Sequence, residues 1–95
     1  MSAYVVFIRE STLDPLEMDT YFRKVPATFS GHPATILARY GRHEVLEGPG
    51  TEGVVLLEFP SMDDAKAWYN SPAYQEALKH RFKGANYRAI LFEGV

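Results

Sequence analysis

Two arginines and a run of aromatic residues hold most of the chemical potential of this 95-residue chain. Arg39 interrupts the otherwise apolar stretch Ala34 to Tyr40, and Arg81 sits seven residues after Tyr74 on the edge of an apolar stripe. A guanidinium is a planar fork of N–H donors that matches a carboxylate bidentately. On an apolar face it pairs with a carboxylate of its own chain, lays its stem along the surface, or faces an anionic ligand. Glu58 and Glu93 are the in-chain partners on offer. Trp68, Tyr69 and Tyr74 lie together in AWYNSPAYQ. Large aromatics at helical spacing fill cores, but the polar tips of Tyr and Trp need partners when buried. Trp68 and Tyr69 are adjacent and point in different directions, and the break at Asn70-Ser71-Pro72 tilts one helical piece against the next. Arg39, Trp68, Tyr69, Tyr74 and Arg81 are therefore the expected walls of an aromatic-lined pocket. The competing reading is packed core plus an internal ion pair.

His32, His43 and His80 have no metal-ligand spacing, and no H-E-x-x-H frame is present. His32 lies between Gly31 and Pro33 at a strand entrance, where an imidazole can overlook a pocket mouth as acid or base. No G-x-S-x-G element supplies a serine nucleophile. Gly48-Pro49-Gly50 lacks the Lys-Ser/Thr and the following helix of a phosphate loop, so it is a turn. No cofactor or metal is expected. With no cysteine, disulfides, thiolate metal sites and a thiol nucleophile are excluded.

These residues need elements to hold them. Residues 3–9, 34–40, 53–59 and 86–93 are β-branched and aromatic runs, bounded by turns and charge. Asp14-Pro15 reads as an N-cap with proline in the first turn. Met18, Phe22, Val25 and Phe29 then share one helical face, with a kink or restart expected at Pro26. The second strand is open to continuation past Gly41. Ser61 with Asp64 forms a capping-box pattern, and Ser71-Pro72 restarts the helix, with Tyr74, Ala77, Leu78, Arg81 and Phe82 on its inner face. The order is β-α-β-β-α-β over one domain, residues 1–95. That predicts an α+β, ferredoxin-like sandwich with a four-stranded antiparallel sheet.

A sheet with one wet face alternates apolar and polar residues. Here Val5 to Ile8, Val54 to Leu57 and Ile90 to Phe92 are apolar at both parities. Two helical segments cover only one face. The expected cover for the other is a second copy, a homodimer through the sheet; a monomer capped by the 41–53 loop is the alternative. The net charge of −2 and the scattered Lys and Arg argue against nucleic acid. No apolar run reaches membrane-spanning length, and a cytoplasmic location is expected.

The chain resembles the family known as domain of unknown function 1330. The resemblance rests on YFRKVPAT (Tyr21 to Thr28), VLEG (Val45 to Gly48), VVLLEFPSM (Val54 to Met62), AKAWYNSPAYQ (Ala65 to Gln75), Arg81 and RAILFEGV (Arg88 to Val95). WYNSP-x-YQ is the most specific piece. Members often have Gly-Gly and a basic residue before the second strand, where this chain has Gly31-His32-Pro33. The resemblance implies a dimeric α/β barrel, in which ferredoxin-like protomers pair through their sheets and hold a small molecule between sheet and helices. Relatives in that superfamily include cofactor-independent monooxygenases, lactone isomerases and haem enzymes. The implied function is binding of a small aromatic or carboxylated metabolite, with cofactor-independent proton transfer or oxygenation as the accompanying chemistry. The alternative is a non-catalytic dimerisation or ligand-storage module.

Overall fold

Three local capping devices start the helices of the computed structural model, which describes residues 1–95. Asp14 Oδ1 accepts from the backbone N–H groups of Leu16 and Glu17 at 3.0 and 3.5 Å and opens α1 (Pro15–Thr28). Ser61 Oγ accepts from the N–H of Asp64 at 3.1 Å and donates to its carboxylate at 3.0 Å, opening α2 (Met62–Tyr69). Ser71 Oγ accepts from the N–H of Tyr74 at 3.3 Å and opens α3 (Pro72–Gly84) with proline in its first turn. Each device satisfies a helix-start donor that has no partner inside the helix.

The strands are β1 (Ala3–Thr12), β2 (Thr35–Arg39), β3 (Gly53–Phe59) and β4 (Ala85–Glu93). They form one antiparallel sheet in the order β2-β3-β1-β4. The element order is β-α-β-β-α-α-β, because Ser71-Pro72 divides the second helical segment in two. The helices cover one sheet face. On that face Val5 pairs with Leu57 and Leu91, and Phe7 with Val55 and Ala89. Val5, Phe7, Leu57 and Phe59 form the core there with Met18, Tyr21, Trp68, Tyr74, Ala77 and Leu78.

Three local expectations are corrected. The first helix does not restart at Pro26 but runs through it to Thr28. Pro26 is exposed and two residues from the helix end, so the bond its missing N–H forgoes to the Phe22 carbonyl is lost where little helix remains to be interrupted. The second strand stops at Arg39 rather than continuing past Gly41. Tyr40 takes a left-handed φ of 52°, which turns the chain out of the sheet. Phe82 is exposed rather than on the inner face of α3, because that helix ends two residues later and the chain enters β4.

Candidate functional site: an apolar cavity with a tyrosine–arginine end

α1 packs chiefly against α3 and stands off β2 and β3. The space left between that helix and the sheet is a cavity of about 530 Å³, within the range of small-molecule sites. Phe7, Val55 and Leu57 make its floor; Val25 and Pro26 of α1 with the C-cap residue Phe29 make its roof; Trp68 of α2 closes one end. Phe22, Ile36 and Arg39 line it and are exposed, so they mark the mouth. Of thirteen lining residues eleven are hydrophobic, so the walls favour an apolar ligand body.

Arg39 reaches this face through an irregularity in β2. Ile36 and Arg39 are three apart, and a regular strand would send them to opposite faces. The register shifts between Ile36 and Ala38, so that Ile36 stands opposite Leu57 and Arg39 opposite Val55. A bulge of this kind re-aims the side chains beyond it. Both residues therefore line the cavity.

Trp68 is the packing centre. Its ring stacks on Phe29 at 5.2 Å and contacts Tyr74 at 4.1 Å and Phe59 at 5.6 Å. Its Nε1–H donates to Thr28 Oγ1 at 3.0 Å, and Thr28 donates in turn to the Val25 carbonyl at 2.6 Å. The buried indole N–H is thus satisfied and its ring is fixed against the cavity wall.

The other end is polar. Tyr21 and Tyr74 share a buried hydroxyl–hydroxyl hydrogen bond of 2.8 Å. Tyr40 and Tyr87 share another. Tyr21, Tyr40 and Tyr87 line the cavity, and Tyr74 stands behind Tyr21. Tyr40 is held by several contacts at once. Arg9 lies 4.9 Å over its ring, Phe22 meets it edge-on at 5.6 Å, and the missing side chain of Gly53 makes room for it. A Cβ on Gly53 would fall 2.4 Å from Tyr40 Cδ1.

Arg81 lies behind this end, 3% exposed, with its guanidinium 4.8 Å from the Tyr87 ring centroid and 5.3 Å from that of Phe7. No carboxylate pairs with it, so the in-chain ion pair with Glu58 or Glu93 is absent. Its Nε–H has no hydrogen-bond partner. Arg9 faces the same end and makes a 3.4 Å ion pair with the exposed Glu52. Burial pushes all four tyrosine hydroxyls upward; the hydrogen bond adds to this for Tyr21 and Tyr40, and the Arg81 charge opposes it at Tyr74. At neutral pH the site therefore offers neutral hydroxyls as donors.

The sequence-expected residues divide into three groups. Arg39 and Trp68 line the cavity. Tyr69, Tyr74 and Arg81 stand behind its walls, Tyr69 against Trp68 and Tyr74. His32, in the turn after α1, lies outside the lining. No His, Asp or Glu lines the cavity, and no group of three or more His, Cys, Asp or Glu side chains is placed to hold a metal ion. Arg9, Tyr21, Tyr40 and Tyr87 were not singled out from the sequence. The parity of Val5, Phe7 and Arg9 along β1 was the available signal for Arg9.

Solved structures with this fold are similar over nearly the whole chain. RPA0582 of Rhodopseudomonas palustris, a protein of unknown function, is 20% identical with a TM-score of 0.75, covering 99% of this chain and 82% of that one. A dimeric ferredoxin-like protein of unknown function from Bacteroides fragilis is 16% identical with a TM-score of 0.63, covering 98% and 96%. SnoaB, a cofactor-independent oxygenase from Streptomyces nogalater, is 15% identical with a TM-score of 0.61, covering 99% and 92%. At these identities the likeness speaks for the fold. No curated protein matches the sequence. The model of the domain of unknown function DUF1330 matches residues 2–95, spanning β1 to β4 and every wall of the cavity, and the chain belongs to that family.

Proposed function

We propose that this protein binds a small aromatic or carboxylated metabolite in the cavity between α1 and the sheet and acts on it without a cofactor. The observation that carries this reading is the lining itself: a formed apolar space of about 530 Å³ with Arg39 at the mouth and Tyr21, Tyr40 and Tyr87 among its walls. Such a space suits a flat apolar body with one polar or charged substituent. A homodimer through the uncovered sheet face belongs to the same proposal, supported by the dimeric Bacteroides fragilis protein of like fold.

The chemistry that fits is proton transfer or oxygenation in which the ligand supplies the reactive electrons and the protein supplies position and hydrogen bonds. SnoaB supports the second class as compatible with this fold. The absence of a His or carboxylate in the lining favours a second reading, a binding or storage module with no turnover.

Trp68 is the single tryptophan and lines the cavity, so its fluorescence reports occupancy directly. A panel of small aromatics and aromatic acids should quench or shift that emission and raise the melting midpoint by linkage. Arg39→Ala should weaken the acids more than the neutral aromatics. Ile36→Phe, which fills the mouth without adding a second indole, should remove both signals. No response to any member of the panel would overturn the binding reading. Oxygen uptake with a bound ligand separates the oxygenase from the storage module.

A further inference from the structure

Arg81 is the one charged side chain in the buried set, and it has no counter-ion. A buried charge left unpaired is costly to folding, which makes an unpaired Arg81 a candidate for a role beyond packing. The carboxylates of Glu52 and Glu17 are engaged elsewhere, Glu52 with Arg9 and Glu17 with His80 at 2.7 Å. The guanidinium meets ring faces: Phe7 of β1, Tyr87 of β4, and Phe82 of α3 at 5.5 Å. Tyr74 and Tyr21 feel its charge from α3 and α1.

The two tyrosine pairs face that charge. In each pair one hydroxyl donates to the other, so each pair keeps one O–H proton to donate elsewhere. We propose that the cavity binds its ligand as a single delocalised oxyanion, the ionised form of a phenol or enol, with Arg81 as counter-charge and the tyrosine hydroxyls as donors. This rests on the cavity being the binding site. A carboxylate fits this end less well. Arg81 is covered by rings and reached through hydroxyls, so it does not present a fork for bidentate pairing. A phenolate or enolate spreads its charge into an apolar body that the lining accommodates. The proton lost on binding goes to solvent.

The two effects in the cavity have opposite signs. Burial in an apolar space alone raises the ionisation midpoint of a phenol, whereas a nearby cation with hydroxyl donors lowers it. The probes are 4-nitrophenol and its methyl ether 4-nitroanisole, which has the same ring and cannot ionise. Trp68 emission measures the affinity of each, and nitrophenolate absorbance measures the midpoint of the bound phenol. The expected result is a midpoint about one pH unit below that of free 4-nitrophenol, a tenfold change in ionisation. Arg81→Met should return the midpoint to the free value or above it and reduce affinity for 4-nitrophenol relative to 4-nitroanisole. Replacing a buried charge by an apolar chain of similar length is often tolerated. Should Arg81→Met not fold, Arg81→Lys should retain the lowered midpoint, and Tyr74→Phe with Tyr21→Phe should raise it. An unchanged or raised midpoint in the unaltered protein, with 4-nitroanisole bound, overturns this inference and leaves the cavity reading standing. Failure of both probes to bind removes both.

Discussion

Tyr21, Tyr40, Tyr74 and Tyr87 each look like an ordinary aromatic in the sequence, and what distinguishes them is the company they keep in space. Tyr40 meets Tyr87, 47 positions away, and Tyr21 meets Tyr74, 53 positions away. Burial leads the causes that raise all four hydroxyls above the usual value of about 10. The consequence for pH has a definite sign. In the unfolded chain these groups ionise at about 10, while in the folded protein they hold their protons to higher pH. Their contribution to folding is therefore complete below about pH 10 and is lost as pH rises through the raised folded values. Alkaline titration should show these tyrosines ionising together with the loss of near-ultraviolet circular dichroism, in one cooperative step above about pH 10. Four independent ionisations near pH 10 in a protein that is still folded would refute the burial account.

At the scale of the elements, much was legible because the signals are local. Asp14-Pro15, Ser61 with Asp64, and Ser71-Pro72 are short capping patterns, and each starts a helix where the pattern stands. The positions of β3 and β4 follow from their β-branched and aromatic runs in the same way. What was not legible depends on register. That Arg39 shares a face with Ile36 requires the shift in β2, and nothing in TILAR announces it. Arg9, two strands over on β1, pairs with Gly53 and with Tyr87, a placement set by the alignment of three strands. The junction of β2 and β3 is the most demanding of these features, because the left-handed Tyr40 lays its ring on the bare Cα of Gly53. Gly53→Ala should displace that ring and cost about 1–3 kcal/mol, the usual range for overpacking. In a Tyr40→Ala background the same substitution should cost close to nothing, since the clashing atoms are gone. Denaturant midpoints for the four proteins of this cycle measure the coupling. Simple additivity would show that the ring and the glycine do not depend on each other.

At the scale of the molecule, the unanswered surface is the sheet face opposite the helices. The register places Val6 between Leu56 and Ile90, and Tyr4 between Glu58 and Phe92, so three strands present a continuous apolar field. Tyr4 and Phe92 stack there with ring centroids 5.5 Å apart. Ile90, Phe92 and Leu37 remain 39%, 42% and 49% exposed. The 41–53 loop does not cap this field. Residues 41–50 are themselves exposed throughout, including Leu46, so the alternative of a self-covered monomer loses its cover. Apolar area buried between two such faces contributes roughly 25 cal/mol per Å² before the cost of association is subtracted. A two-fold pairing uses the same patch on both copies, which suits a central hydrophobic row flanked by the charges of Glu58 and Arg88. The expected mass in solution is that of two chains, with a melting midpoint that rises with protein concentration. Ile90→Glu places a carboxylate in the middle of each copy's patch and should leave a monomer. Light scattering after size exclusion reads both results. A single-chain mass for the unaltered protein at micromolar concentration would mean that the outer face is tolerated bare. If Ile90→Glu stays dimeric, the copies meet through another surface. The cavity lies on the opposite side of the sheet from Ile90. A monomeric Ile90→Glu protein that keeps its Trp68 response to ligand would therefore show that each copy carries a complete site, whereas a lost response would show that pairing holds the sheet in the shape the cavity needs.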